Sequence, residues 1–324
     1  MLTAFVQLGA GFIILAIGGH YIVRGAVSIA FLAKISTAVV GLTVVAFGTS
    51  LPELAVSVKA AAAGSTAIAY ANVVGSNIFN IAVILAGTAL VRPVLIPRNA
   101  RLLEHPGMFA VLVLLLFMAR DGLMSRIDGA VLLFGLVLFI VITVLHTRAA
   151  GPADHSSHKG ESERLHPDGG NRSRAWGRGI ACVVVGIVGL WIGAEFLVKG
   201  AVTIAQSMGI SERVIGLTIV AMGTSLPELV TSIVAARRGE HEIALSNLMG
   251  SNLFNVLAVL GLTSVVFAVP VDPRAISLDN WVMLGFGAAL FPILWLNKYV
   301  TRVHGALLLA AFAVYFVVVL LGGG

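Results

Sequence analysis

The chain has 324 residues, 58% of them hydrophobic and only 11% charged. A soluble domain is nearer half apolar and a quarter charged, so a soluble globular protein is excluded. The net charge of +6 sits in a chain too oily to present a nucleic-acid surface; it is assigned instead to basic loops between membrane spans.

Runs of about 18 or more apolar residues recur, each long enough to cross a bilayer. An outer-membrane barrel would alternate polar and apolar residues over segments of about ten, and no such pattern occurs. The composition predicts an all-α polytopic membrane protein with the lipid bilayer as its surroundings. Ten spans are expected, at roughly 4–30, 35–63, 66–91, 104–120, 127–147, 176–206, 212–237, 240–266, 277–296 and 301–321. The first lacks the basic start and cleavage site of a signal peptide and reads as a span. Spans one and six exceed what a bilayer requires and are expected to tilt.

Between spans five and six, residues 148–175 are polar and rich in Gly, Pro, Ser and His. Such a segment cannot bury a core and is expected to be disordered, with His155, His158 and His166 as solvated residues of a linker. Cys182 is the single cysteine, which excludes an internal disulfide; its place in an apolar run predicts a packing role. About 15 basic residues fall on the side of this linker and about six on the other. The positive-inside rule then places the linker in the cytoplasm and both termini outside, in the cell (inner) membrane.

The second half repeats the first at a constant offset of 175 residues. GLTVVAFGTSLPEL at 41–54 returns as GLTIVAMGTSLPEL at 216–229, and NVVGSNIFN at 72–80 returns as NLMGSNLFN at 247–255. Five spans separate equivalent positions, and five is odd, so the halves insert upside down relative to each other. Residues 1–147 form one five-span half and 176–324 the other. Inverted repeats of this kind are a mark of secondary transporters, whose sites lie at the midplane between broken helices.

The repeated motifs carry the chemistry. Pro52 has no backbone N–H to give and its ring clashes with the carbonyl one turn earlier; Gly48 lies there and eases the break. Carbonyls near Ala46 and Phe47 are expected to lose helical partners. Thr49 and Ser50 add hydroxyls, and Glu53 adds a carboxylate one turn after Thr49 on the same face. The second half supplies Ala221, Thr224, Ser225 and Glu228. The partner motif adds Ser76, Asn77 and Asn80, then Ser251, Asn252 and Asn255. Two carboxylates with hydroxyl, amide and carbonyl oxygens, and no thiolate or imidazole, form a hard-oxygen set suited to Na⁺, Ca²⁺ or Mg²⁺. Mg²⁺ gives up its waters reluctantly, which favours Ca²⁺. Intramembrane acids are functional by default.

These motifs resemble the cation/calcium exchanger superfamily, specifically the prokaryotic sodium/calcium exchanger branch, over nearly the whole chain. The resemblance implies an antiporter that exchanges Na⁺ for Ca²⁺ by alternating access, with spans one and six sliding across the rest. It implies ion ligands at Ala46, Thr49, Ser50, Glu53, Ser76 and Asn80, and at Ala221, Thr224, Ser225, Glu228, Ser251 and Asn255. Glu53 and Glu228 would be central Ca²⁺ ligands; Thr49, Thr224 and the Ala carbonyls would serve flanking Na⁺ sites. Several relatives carry Asp where this chain has Asn255. That departure argues against potassium dependence and keeps an H⁺-driven antiporter of Ca²⁺ or another divalent cation as the alternative. The linker is too short for the Ca²⁺-sensing domains of animal exchangers. No cofactor and no obligatory protein partner are implied. A channel would need no counter-ion, and the inverted repeat argues against it. A membrane enzyme is disfavoured because no HExxH, P-loop or Ser/His set lies at the motifs.

Other charged residues in or near spans are expected to be structural. Glu195 and Lys199 are four apart and pair on one helix face. Asp121, Asp128, Asp272 and Asp279 are placed at span ends in water, and Glu240 and Glu242 in an inside-facing loop beside Arg237 and Arg238.

Overall fold

The computed structural model describes residues 1–149, 172–209 and 221–321. Its helices follow the expected spans to within a few residues. They are α1 (Leu2–Ala33), α2 (Thr37–Ala62), α3 (Thr66–Val91), α4 (Ala100–Asp121) and α5 (Arg126–Ala149). The second half holds α6 (Arg172–Ser207), α7 (Leu226–Arg238), α8 (His241–Val266), α9 (Ala275–Leu296) and α10 (Arg302–Leu321). Among the described residues nine of these are long and apolar enough to span a membrane. The shorter α7, with the turn of helix at Ala221–Gly223 before it, is the described part of the seventh expected span, whose first residues lie outside the described ones. Most of the linker expected to be disordered lies outside them too.

The helices end where the sequence supplies a stop. Gly64 and Gly239 adopt φ of +83° and +84°, a left-handed turn that favours glycine. They close α2 and α7 at equivalent points of the repeat and turn the chain directly into α3 and α8.

Two long helices show the inversion. α1 and α6 are equivalent in the repeat, and they pack against each other antiparallel along a glycine seam. A Cβ on Gly11, Gly18 or Gly25 would come within 2.7 Å of the backbone nitrogen of Leu197, Leu190 or Val183. From the other side, a Cβ on Gly186 or Gly193 would come within 2.5 Å or 2.7 Å of the nitrogen of Ile22 or Leu15. Partners that descend in number as the other helix ascends define the antiparallel run. Small residues that let backbones touch are how membrane helices associate where lipid removes the hydrophobic drive. At 1.5 Å per residue these helices are about 45–55 Å long, longer than a bilayer core requires, as expected of spans one and six.

Four short strands tie the ends of the bundle. β1 (Val94–Leu95) pairs antiparallel with β4 (Tyr299–Val300), and β2 (Leu123–Met124) pairs with β3 (Val269–Pro270). The ribbons are twins under the repeat, and each joins one half to the other.

α3 and α8 fill the centre. In their most apolar stretch 78% of residues are buried, against 28% in α1 and α6. A helix apolar on all sides and enclosed on all sides is a bundle core. The polar residues that interrupt these two helices are therefore held in the middle of the protein.

Candidate functional site

Both GTSLPEL motifs break their helices. α2 is interrupted at Ser50, where α-helix Ala46–Thr49 ends and a new helix starts at Leu51 with Pro52 in its first turn. The break in the second half falls at Thr224 and Ser225, between Ala221–Gly223 and α7, whose first turn holds Pro227. Each glutamate thus sits in the first turn of a fresh helix, where free N–H groups favour an anion.

One expectation is corrected here. The Ala46 carbonyl keeps partners, accepting the Ser50 amide at 3.0 Å and Thr49 Oγ1 at 3.3 Å. The threonine, one turn on, turns back onto the helix and takes up a lone pair. The proline itself removes the donor that would have reached Gly48.

The two halves exchange hydrogen bonds across the repeat axis. Ser225 Oγ donates to Glu53 Oε1 at 3.1 Å, and Ser50 Oγ donates to Glu228 Oε1 at 3.2 Å. Ser225 Oγ also lies 3.5 Å from Ser76 Oγ. The Thr49 and Ser251 hydroxyls are 3.4 Å apart, and Thr49 Oγ1 is 3.3 Å from Asn247 Oδ1. Asn80 Nδ2 donates to Asn252 Oδ1 at 3.0 Å, and Asn255 Nδ2 donates to Asn77 Oδ1 at 3.2 Å. A π-helical turn begins at Asn80 in α3 and another at Asn255 in α8, the local widening that often marks functional positions in helices. Glu53 and Glu228 are fully buried, as are Ser225, Ser251 and Asn255. Thr224 sits in the half-buried turn between them.

Four oxygens in this zone lack a hydrogen bond: Glu53 Oε2, Glu228 Oε2, Asn80 Oδ1 and Asn255 Oδ1. They form two pairs related by the repeat. Among the described residues no cationic side chain forms an ion pair with either glutamate; the exposed Lys199–Glu195 pair, at 2.6 Å, is on the outer face of α6. One carboxylate oxygen on each glutamate and one amide oxygen on each asparagine, all buried without a hydrogen bond, are costly. The zone therefore calls for positive charge, as a metal cation or as protons. Its ligands are all hard oxygens, which suits Na⁺ or Ca²⁺.

Sequence reasoning passed over several residues here. Asn72 Nδ2 donates to Ser57 Oγ at 3.0 Å and to the Glu53 carbonyl at 3.2 Å, and Asn247 Nδ2 donates to Ser232 Oγ at 3.2 Å. These pairs bolt each broken helix to its neighbour. The 175-residue offset was their signal, since both asparagines open the NxxGSN lines. Glu104 is 98% buried, accepting a hydrogen bond from Ser246 Oγ at 2.8 Å. Its twin Asp279 was expected in water; it is half-buried and accepts from Tyr315 Oη at 2.9 Å. Both acids close π-helical first turns of α4 and α9, which carry them inward from the span ends. Glu242 is not in a loop: it lies in the first turn of α8, accepting from Thr37 Oγ1 at 2.6 Å and the Ala38 amide at 3.3 Å. There it caps the start of α2.

An inverted pair of five-helix halves around a buried oxygen site defines a secondary cation transporter. The chain belongs to the family described as sodium/calcium exchanger protein, whose model matches residues 3–145 and 178–321. It is 38% identical to CaxA of Alkalimonas amylolytica over 97% of this chain and 98% of that protein. It is 30% identical to the sodium/calcium exchanger MaX1 of Methanosarcina acetivorans over 97% of each. Its fold is similar to that of the sodium-calcium exchanger NCX_Mj, with a TM-score of 0.83 and 28% identity over 98% of each chain. The chain is a cation exchanger of this family and a transporter rather than an enzyme.

Proposed function

We propose that this protein exchanges Na⁺ for Ca²⁺ across the inner membrane by alternating access. The carrying observation is the set of four unpartnered buried oxygens on Glu53, Glu228, Asn80 and Asn255. Ca²⁺ takes six to eight oxygen ligands. The two glutamates and two asparagines supply charge and amide oxygens, with Ser50, Ser76, Ser225 and Ser251 completing the shell. Thr49, Thr224 and the carbonyl of Ala221 serve flanking Na⁺ positions. Two carboxylates balance one Ca²⁺ and accept Na⁺ ions at the same oxygens, so the two cations compete and exchange. The halves 1–147 and 176–324 act as the inverted units, joined by a cytoplasmic linker at 148–175 with both termini outside. The relatives MaX1 and NCX_Mj are described as sodium/calcium exchangers, which supports Na⁺ as the driver.

A second reading keeps the site and replaces Na⁺ by H⁺. Asn255 favours it, because only two acids remain, and two protons match the charge of one Ca²⁺. Liposomes holding the purified protein separate the readings. Vesicles loaded with Na⁺ and diluted into Na⁺-free buffer should take up Ca²⁺, while vesicles given only a pH gradient should not. Uptake driven by the pH gradient alone overturns the Na⁺ reading.

A further inference from the structure

Asn77 and Asn252 belong to the repeated GSN motifs, yet neither carries an unpartnered oxygen. Both are fully buried. Their partners fix which way each amide points. Asn77 Nδ2 lies 3.4 Å from the Asn252 carbonyl oxygen and 3.9 Å from Met283 Sδ. Asn252 Nδ2 lies 3.3 Å from Met108 Sδ. A carbonyl oxygen and a thioether sulfur only accept. The opposite flip of either amide would set acceptor against acceptor. The Oδ1 of Asn77 therefore faces Asn255, and the Oδ1 of Asn252 faces Asn80.

The next step follows by the same logic. Asn255 meets an acceptor and must turn its NH₂ to it, at 3.2 Å; Asn80 must do the same, at 3.0 Å. Each then has only its own Oδ1 left for the buried zone, and those are two of the four unpartnered oxygens. Met108 and Met283 stand at equivalent positions of the repeat, so the device is built twice.

We propose that Asn77 and Asn252, held by Met283 and Met108, are positioning residues that lock the amides of Asn80 and Asn255 with oxygen toward the transported cation. The inference rests on the cation reading above and adds its orientation control. It also gives a reason for asparagine at 80 and 255. A carboxylate there would offer an acceptor to the fixed Oδ1 of the neighbouring amide, so the lock is matched to a site with two acids.

The test is a double-variant cycle on the full-length protein, reading the KM for Ca²⁺ in proteoliposomes and the Ca²⁺-dependent rise in Tm in detergent. Met108→Leu conserves volume but removes the acceptor that holds Asn252. It should raise KM about threefold with kcat unchanged. Asn80→Asp should raise KM more than about tenfold in the native background. In the Met108→Leu background that penalty should shrink severalfold, because Asn252 is free to turn its NH₂ to the new carboxylate. A residue that only packs gives penalties that multiply, and multiplying penalties overturn the proposal. If Asn80→Asp does not fold, Asn252→Leu tests the lock without added charge. It should raise KM about tenfold and shrink the Ca²⁺-dependent Tm rise, and an unchanged KM overturns the proposal. A native protein with no Ca²⁺-dependent Tm rise overturns the Ca²⁺ reading itself, and the positioning role with it. A native rise that the variants reproduce in full overturns only the positioning role.

Discussion

The buried polar zone and the long outer pair treat the repeat differently. In the zone, four hydrogen bonds form two pairs of twins: Ser225 on Glu53 and Ser50 on Glu228, Asn80 on Asn252 and Asn255 on Asn77. At the outer pair the twofold relation fails. The two kink glycines, Gly48 and Gly223, both face α6, where added Cβ atoms would meet Ile187 and Val198. Symmetry would have sent one of them to α1. Phe12, the α1 twin of Ile187, is instead 64% exposed. A protein that opens to one side at a time must break its symmetry somewhere. Part of the break lies in the outer helices, and part lies beside the polar zone, where Gly75 of α3 is exposed while its twin Gly250 of α8 is buried against the Leu42 carbonyl.

The largest expected effect comes from removing charge in the symmetric zone. Glu53→Gln and Glu228→Gln should each cut Ca²⁺ uptake in proteoliposomes by on the order of 100-fold, the loss of about 3 kcal/mol of charged ligation. Both variants should still insert and elute as folded protein. Unequal losses would show that the twins are not functional equals.

Next comes the glycine seam. Gly186→Val forces a side chain into the Ile22 backbone, which lies within 2.5 Å of the Cβ position. Overpacking of this kind costs about 1–3 kcal/mol. The expected outcome is a lower Tm in detergent and loss of transport. Retained transport would mean that α1 and α6 part and re-form their contact with room to spare.

Ser50→Ala and Ser225→Ala each remove one hydrogen bond to a carboxylate. Such bonds are worth about 1.5–3 kcal/mol, so the KM for Ca²⁺ should rise roughly tenfold or more in both. Equal rises sharpen the symmetry of the core. The smallest effects test the asymmetry outside it. Phe12→Ala should change stability by less than about 0.5 kcal/mol, as exposed positions do. Ile187→Ala, packed on Gly48, should cost more, and a thermal scan of the two settles the order.

The sequence carried the plan of the molecule further than its details. Repeat, inversion and span limits all followed from a 175-residue offset, from hydropathy and from the parity of span number. Each motif position was legible because a polar residue in an apolar helix stands out. Glu104 was overlooked because hydropathy treats a charged residue beside a span end as solvated. Its burial depends on a π-helical turn and on Ser246 from a helix more than a hundred residues later. Asn72 and Asn247 were overlooked because an amide bracing a neighbouring helix looks the same in one dimension as an amide in a loop. The roles of Asn77 and Asn252 needed two methionine sulfurs, which no motif records.

The two small ribbons govern the order in which the molecule is made. Val94 pairs with Val300, and Leu123 with Pro270, so each closure waits for residues synthesised far later. Loops of this length make closure slow. The first five helices must enter the membrane with β1 and β2 unpaired and with no counterpart for the α1 glycine seam. Assembly is thus completed only as the last helices arrive, and chains severed within the linker should reconstitute transport when both pieces are made together.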